Sequence, residues 1–491
     1  MTIDTSLRKA IGEAQGEGVH VEHSLLKEHP ELLVELTTTQ KFSFSRKDRE
    51  DIQLAALKNR FESLVNKVPV LARFAESQGL KSIEKIEDGA LLMLPHTMFK
   101  SYPLSAIESN RFDKMTKWLQ TFTSIDMSHV DAKRCQNIDE WFDVLDAETD
   151  VRLRHSSGTT GKLSFVTGNV HEQRTQAWGF KRFFEGFGDE PDARVRGVGE
   201  YPVIVFGHAR GGMSTARNMD SVRMFLYDGD HSKFIFSNSG RFSADMLSLG
   251  SRLQKAQASG ELGSLQLSPS LLSRREEFLK EQREEPRRLT EFFDRIANEF
   301  RDKPVIIQGV VPIVAKGAIE AVNRGLESVF APQSLQQLAG GTKGQALPPN
   351  YPDIVARFTG IPYPPTGYGM TEASSALTRL CPAGHYHLPP NLVPYLLDPK
   401  SGDILPREGI QTGRYGIVDV AAQHRWAGIL TGDLLTLDWD GSCSCGRSGP
   451  HIVGEIRRIS ELEGGDDKIT CAGAPAVHEN ALQYMAEIGG D

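Results

Sequence analysis

The sequence predicts an α/β protein with a layered core and a smaller β-rich subdomain. Three observations favour this class. Helical patterns dominate residues 1–150, apolar runs alternate with amphipathic segments over 151–380, and short strands with frequent glycines fill 381–463. Strand–helix alternation is typical of a sheet covered by helices. Residues 464–491 form a short fourth segment.

The individual elements follow from apolar spacing. Residues 51–68 and 116–125 have apolar residues at helical intervals and are predicted to be helices. The stretch 91–104 contains two prolines and predicts a loop. Between 151 and 380, strands are predicted at 201–207, 222–229, 233–238 and 303–310. Helices are predicted at 315–326 and at 274–301, the latter interrupted at Pro286.

Composition and charge exclude several classes of protein. The net charge of −8 gives no argument for a nucleic-acid or anionic-membrane partner. No apolar run approaches the roughly 20 residues that span a bilayer, and the N-terminus lacks the apolar region of a secretory signal. Five cysteines in 491 residues are too few for a disulfide scaffold. We therefore expect a cytoplasmic protein without nucleic-acid or membrane partners.

The stretch "SSGTTGK" predicts an anion-binding loop, because glycines free the backbone while hydroxyl and amide groups surround a ligand. Its residues are Ser156, Ser157, Gly158, Thr159, Thr160, Gly161 and Lys162. The classical P-loop G-x-x-x-x-G-K-[ST] fails twice here, since Ser156 replaces the first glycine and Leu163 follows the lysine. A P-loop kinase is thereby excluded.

The stretch instead resembles the [ST]-[SG]-G-[ST]-T-G-x-P-K loop of the adenylate-forming superfamily of acyl-CoA synthetases, adenylation domains and luciferases. Leu163 and Ser164 replace its proline and last lysine. "PTGYGMTEAS" (365–374) is similar to the Y-G-x-T-E motif of this superfamily, and "ILTGDLL" (429–435) to its T-G-D motif. The resemblance implies ATP-dependent activation of a carboxylic acid to an acyl-adenylate, with release of pyrophosphate.

The resemblance also implies roles for individual residues. The loop would hold the β- and γ-phosphates, Thr371 the α-phosphate, and Glu372 a magnesium ion, with Lys162 as a further catalytic group. Asp433 would accept hydrogen bonds from ribose. The adenine pocket would be lined by Tyr368, Gly369, Gly340 and Gly341. In this superfamily an arginine that follows the aspartate also contacts the ribose. The candidates here are Arg447, Arg457 and Arg458, of which we prefer Arg458.

A second constellation contains cysteine and histidine. "CPAGHYH" (381–387) and "CSCGR" (443–447) supply Cys381, His385, His387, Cys443 and Cys445. Three thiolates and one imidazole form a tetrahedral zinc set, although the Cys-x-Cys spacing is tighter than the common C-x-x-C. Phenylacetate–CoA ligase-like proteins have similar segments, and some bind structural zinc. This resemblance favours His387 as the fourth ligand, with His385 as the alternative.

The C-terminal segment departs from the superfamily. Residues 464–485 resemble its hinge, but only 24 residues follow Asp467, so the usual mobile C-terminal domain is expected to be essentially absent. The catalytic lysine of that domain then has no counterpart, and Lys162 and Lys468 are the alternatives for neutralising the charge that this lysine would meet. Residues 94–104 resemble a segment of acyl-protein synthetases, which are also short at this end.

We predict an ATP-dependent acid ligase that passes its acyl group to a thiol or amine, such as CoA, a carrier protein or a free amine. The acid would lie against residues 203–213 and 306–312, where His208 either meets a carboxylate or packs in the core. The alternative is a non-catalytic relative that binds nucleotide and acts as a scaffold or regulator.

Overall fold

The computed structural model describes most of the chain. Its described residues are 22–156, 162–185, 197–261, 267–341, 346–364, 367–374, 378–441, 443–459 and 474–487. The strands are β1 Leu94–Pro95, β2 Arg154–Ser156, β3 Ser164–Val166, β4 Val203–Gly211, β5 Phe234–Phe242, β6 Ile306–Val310, β7 Leu335–Ala339, β8 Gly367–Tyr368, β9 Thr378–Arg379, β10 Tyr386–His387, β11 Leu392–Leu397, β12 Ile410–Asp419, β13 Gly428–Asp438 and β14 His451–Arg458.

The α-helices cover the sheets and carry much of the N-terminal region. They are α1 His23–Glu28, α2 Thr38–Lys41, α3 Arg46–Leu64, α4 Pro69–Ser77, α5 Leu104–Glu108, α6 Phe112–Gln120, α7 Ile138–Glu148, α8 Val170–Phe183, α9 Ser214–Leu226, α10 Ala244–Ser259, α11 Pro269–Ser273, α12 Arg275–Glu299, α13 Val311–Asn323, α14 Tyr351–Thr359 and α15 Ala474–Glu487. No described helix has the length and apolar character that a bilayer crossing requires.

The α/β core is built on a six-stranded sheet of order β5-β4-β6-β7-β8-β9. Strands β4, β5, β6, β7 and β8 run parallel to one another, and β9 runs antiparallel to β8. Every residue of β6 is buried, as expected for a parallel strand with both faces covered. The parallel strands therefore end at one common edge, where ligands bind in open α/β sheets.

The β-rich subdomain is an antiparallel sheet of order β10-β14-β13-β12-β11, which β1 extends by pairing in parallel with β13. Burial alternates along β13, so one face is packed and the other is partly open. The N-terminal helices share its core, since Leu57 and Phe61 of α3 belong to the same buried cluster as Tyr395 and Trp426. The predicted α/β class with a β-rich subdomain is confirmed.

Two predicted elements are wrong. Residues 222–226 belong to helix α9, whose buried Ala216, Met219 and Val222 recur at helical spacing, whereas the prediction considered only the apolar run after Ser221. Helix α12 continues through Pro286. That proline is exposed, and Arg288 bridges the preceding turn by donating to the Glu281 carbonyl oxygen at 2.7 Å.

Candidate active site

The predicted phosphate loop begins at a β-hairpin. Strand β2 pairs antiparallel with β3, so that Ser156 lies opposite Ser164. Ser157, Gly158, Thr159, Thr160 and Gly161 lie outside the described residues. Because Ser156 and Ser164 are paired, the ends of this loop are held close together.

Lys162 is held where the loop rejoins the hairpin. Its ammonium nitrogen donates to the Tyr102 carbonyl oxygen at 2.7 Å and lies 5.2 Å from the centre of the Tyr102 ring. The Tyr102 hydroxyl in turn donates to the Leu163 carbonyl oxygen at 2.9 Å. Among the described contacts, none joins Lys162 to Thr371 or Glu372. In this structure Lys162 therefore anchors the loop.

Three residues predicted for the adenosine half of the site lie together. The Tyr368 hydroxyl donates to Asp433 Oδ2 at 2.9 Å, and Arg458 Nε lies 2.9 Å from Asp433 Oδ1. Burial and the Asp433 carboxylate raise the pKa of Tyr368 well above its usual value, so the hydroxyl remains a donor. Each carboxylate oxygen has two lone pairs, so Asp433 can still accept further hydrogen bonds.

The predicted adenine glycines lie beside this group. Gly340 follows the last residue of β7, Ala339, which pairs with Gly367 of β8. Its φ of 76° is in the left-handed region that favours glycine. Gly340, Gly341 and Gly369 are all exposed, which leaves their backbone open to a ligand. The glycine pair and Tyr368 therefore occupy adjacent ends of neighbouring strands.

The Thr-Glu motif is held from two sides. The Thr371 hydroxyl oxygen accepts a hydrogen bond at 2.9 Å from Ser214, the first residue of α9. The Glu372 carbonyl oxygen accepts from Arg425 at 2.7 Å, and the Ser374 amide donates to buried Asp419 at 2.7 Å. The Glu372 side chain is half-buried. These contacts hold the motif, and none among the described residues involves the Glu372 carboxylate.

A buried ion cluster joins the hairpin to this motif. Glu172 of α8 accepts from Arg154 of β2 at 2.6 Å and from Arg425 at 3.0 Å, and His424 lies 3.5 Å away. Glu172 and Arg425 are each 2% exposed. Burial by itself would raise the pKa of Glu172, but Arg425, His424 and Arg154 outweigh it and lower that pKa to about 2. The cluster ties Glu372 to the base of the phosphate loop.

The sequence pattern does not single out this cluster, and the reason is physical. Glu172 is the third residue of α8, and its amide donates to the Asn169 side chain at 2.9 Å. A carboxylate in a first helical turn is common because it complements the helix dipole. The signal that could have found it is Arg154 in "RLRH", because a charged residue stands between two buried residues, Leu153 and His155, just before the loop.

The Cys/His cluster forms largely as the sequence predicts. The ligand atoms of Cys381, His387, Cys443 and Cys445 all lie within 4.8 Å of one another. The Cys381 and Cys443 sulfurs are 3.8 Å apart, and the Cys445 sulfur is 3.2 Å from His387 Nε2. The alternative His385 lies with Cys443 and His451 in a second group. The geometry favours His387 as the fourth member.

This cluster lies where the two sheets meet. His387 belongs to β10, which pairs with β14 in the β-rich sheet. Its carbonyl oxygen accepts from the Thr378 hydroxyl at 2.9 Å, and Thr378 of β9 pairs with Tyr368. The neighbouring Tyr386 ring is 6.1 Å from the Tyr368 ring, measured between centroids. The cluster therefore supports the strand that carries Tyr368.

A cavity of about 690 Å³ opens at the ends of β4 and β5, between α7, α12, α13 and α15. A smaller cavity of about 30 Å³ shares Phe206, His208 and Phe242 with it and reaches Thr215, the neighbour of Ser214. Burial and Arg288 lower the pKa of His208 to about 4, so its ring is neutral at pH 7. The smaller cavity therefore reaches the residue next to Ser214, the hydrogen-bond partner of Thr371, and it adjoins a space of ligand size.

Helix α15 forms one wall of the larger cavity. His478 of this helix stacks on Phe242 with ring centroids 4.4 Å apart, and Leu482 also lines the space. The helix packs against α10 and α12 through Ala481, Leu482 and Met485. Helix α15 therefore contributes directly to the lining of this cavity.

No protein-family model and no curated protein sequence matches this chain. The chain is similar to an open conformation of 2-hydroxyisobutyryl-CoA ligase in complex with 2-HIB-AMP and CoA, with 13% identity, 87% of this chain and 76% of that chain covered, and a TM-score of 0.48. It is also similar to MatB from Rhodopseudomonas palustris, with 13% identity, 62% of this chain and 47% of that chain covered, and a TM-score of 0.32. A third similar structure is a long-chain-fatty-acid-CoA ligase from Archaeoglobus fulgidus, with 13% identity, 64% of this chain and 52% of that chain covered, and a TM-score of 0.33.

Proposed function

We propose that this chain is an adenylate-forming enzyme that activates a carboxylic acid with ATP and transfers the acyl group to a thiol or amine. One observation carries the proposal. The Tyr368 hydroxyl and Arg458 both contact Asp433, although Tyr368 and Asp433 are 65 residues apart. They meet at the carboxyl edge of the parallel strands, where the resemblance requires the adenosine half of ATP.

Each residue of the site has a defined task in this proposal. The Tyr368 ring packs on adenine beside Gly340, and the free lone pairs of Asp433 accept the ribose hydroxyls. The Thr371 hydroxyl, whose oxygen already accepts from Ser214, donates to the α-phosphate. The carboxylate of Glu372 holds magnesium, a hard cation that prefers oxygen ligands. An ion held there would neutralise charge at the α-phosphate, where the acid carboxylate forms the new O–P bond and the bond to pyrophosphate breaks.

In this proposal the acid occupies the two adjacent cavities. Its carboxylate lies at the Ser214 end, and its chain passes between His208 and Phe242 into the larger space. Neutral His208 presents a hydrogen-bonding edge without a full charge. Because α15 closes this space, its residues His478 and Leu482 limit the length of the acid.

An acid panel tests the proposal. Purified protein with ATP and magnesium is offered short, branched, aromatic and long-chain acids, and pyrophosphate release is measured. We expect release with at least one acid and an acyl-AMP of matching mass. ATP binding without release for any acid would contradict catalysis and favour a non-catalytic nucleotide-binding scaffold. Adding CoA or an amine to the productive reaction then identifies the acceptor.

The Cys/His cluster is proposed to hold one structural zinc ion, as in the phenylacetate–CoA ligase-like proteins that the sequence resembles. A tetrahedral ion with Zn–S bonds of about 2.3 Å separates two thiolates by about 3.8 Å, and Cys381 and Cys443 are 3.8 Å apart. Among the described residues, the buried Nδ1 of His387 has no hydrogen-bond partner, whereas its Nε2 lies 3.2 Å from the Cys445 sulfur. The residues therefore fit zinc.

We expect about one zinc per chain by elemental analysis, lost in Cys443→Ser because an alcohol replaces one thiolate ligand. Cys135→Ser is the matched control, since Cys135 is buried outside the cluster. Wild-type protein that folds stably without metal, or Cys443→Ser protein that keeps a full equivalent, would contradict the zinc site.

A further inference from the structure

A second site is indicated by a small basic cavity remote from the acid cavities. It has a volume of about 60 Å³ and lies between α2, the last turn of α8, β9 and the segment after Cys445. It shares no lining residue with the acid cavities. Its charged lining consists of four cations and one carboxylate, namely Lys41, Arg182, Arg379, Arg447 and Glu185.

Lys41 is the most informative of these residues. It is 6% exposed, and its ammonium nitrogen donates to the Val34 carbonyl oxygen at 2.8 Å. An ammonium has three donors, and the described residues supply this one acceptor. Burial of a charged group with unfilled hydrogen-bonding capacity is costly. The remaining N–H donors of Lys41 can therefore bind a ligand in the cavity that has hydrogen-bond acceptor atoms.

The one carboxylate among the described lining residues already has partners. Glu185 pairs with Arg182 and accepts the amide hydrogen of Thr38. Burial and the nearby Arg182 lower the pKa of Lys41 to about 7. The carboxylates of Glu185 and Glu35 raise this pKa, but by less than burial and Arg182 lower it. On the described lining, three arginines thus lie around the buried Lys41 amine, and such a basic lining suits an anion.

We propose that this cavity binds a phosphoryl-type oxyanion. Guanidinium and ammonium donors form short, charge-assisted hydrogen bonds to such oxygens. The small volume admits one such group, supplied either by free phosphate or by the phosphate of an acyl acceptor such as CoA. The site goes beyond the proposed adenylation, because it stands apart from the cavities assigned to the acid.

The anion would link two parts of the molecule. Arg379 belongs to β9, whose Thr378 pairs with Tyr368. Arg447 lies over the Phe42 ring at 4.9 Å, and Phe42 packs against His387 at 5.6 Å between ring centroids. An occupied cavity would therefore stabilise the strand beside the adenine residue together with the Cys/His cluster.

Calorimetric titration with inorganic phosphate tests the site. The titration uses the full chain without ATP or acid, and chloride holds the ionic strength constant, so failure of adenylation leaves the test intact. We expect saturable binding to wild-type protein, weakened about tenfold or more in Lys41→Met, since a charge-assisted contact is lost. Lys47→Met is the matched control, because Lys47 is exposed on α3 and should leave affinity unchanged.

Arg379→Gln provides a second variant if Lys41→Met does not fold, and it should weaken phosphate about tenfold as well. Absence of saturable binding in wild-type protein, or equal affinity in wild type and the foldable cavity variants, would overturn the proposal. A parallel titration with CoA identifies the source. Displacement of phosphate by CoA assigns the site to the acceptor, and binding of phosphate without such displacement assigns it to the free ion.

Discussion

Glu372→Gln is expected to lower acid-dependent pyrophosphate release by at least about 100-fold while the protein remains folded. Glutamine keeps the shape of the side chain but loses the charge that a magnesium ion requires. Loss of one electrostatic contact to a transition state typically costs about 10²–10³ in rate. The fold should survive because the described contact at this residue runs through its backbone carbonyl oxygen to Arg425.

The measurement compares initial rates of pyrophosphate release at saturating ATP and the productive acid, over a range of magnesium concentrations. Glu408→Gln is the matched control, since Glu408 is exposed at the start of the β-rich hairpin β12–β13. We expect the control to keep wild-type rates. An undiminished rate in Glu372→Gln, at low as well as high magnesium, would contradict the magnesium role.

Glu172→Gln is expected to have the largest effect on stability, about 3–5 kcal/mol of unfolding free energy, because it leaves two buried guanidinium groups without their counter-charge. Arg154 is 3% exposed and Arg425 is 2% exposed, so water cannot replace the carboxylate. The midpoint of denaturant unfolding should fall accordingly. Glu291→Gln is the control, since its pair with Arg287 lies on the exposed face of α12 and should change stability little.

The same cluster predicts a pH dependence. The folded-state pKa of Glu172 is lowered from 4.5 to about 2, so its contribution is present above about pH 4.5 and is lost as the pH falls towards 2. The difference between wild type and Glu172→Gln should therefore shrink over that interval. A difference below about 1 kcal/mol at pH 7, or one that does not shrink in acid, would refute the role of the cluster.

Local patterns predicted the parts of the fold that depend on neighbouring residues. Strands β4 and β6 and helices α3 and α13 follow from apolar runs and helical spacing. The error at 222–226 arose because a short apolar run does not distinguish a strand from the end of a helix. The predicted interruption at Pro286 is absent from helix α12 because an exposed proline costs a helix one hydrogen bond, which surrounding contacts can offset.

The sequence by itself determined which chemical groups are present and their order along the chain. Only the tertiary structure decided which of them meet. Asp433 lies opposite Arg458 in the pairing of β13 with β14, whereas Arg457 lies opposite Leu434. Successive residues of a strand face opposite sides, so one arginine can contact the carboxylate and its neighbour cannot. That choice depends on strand register, which long-range packing sets and local composition does not encode.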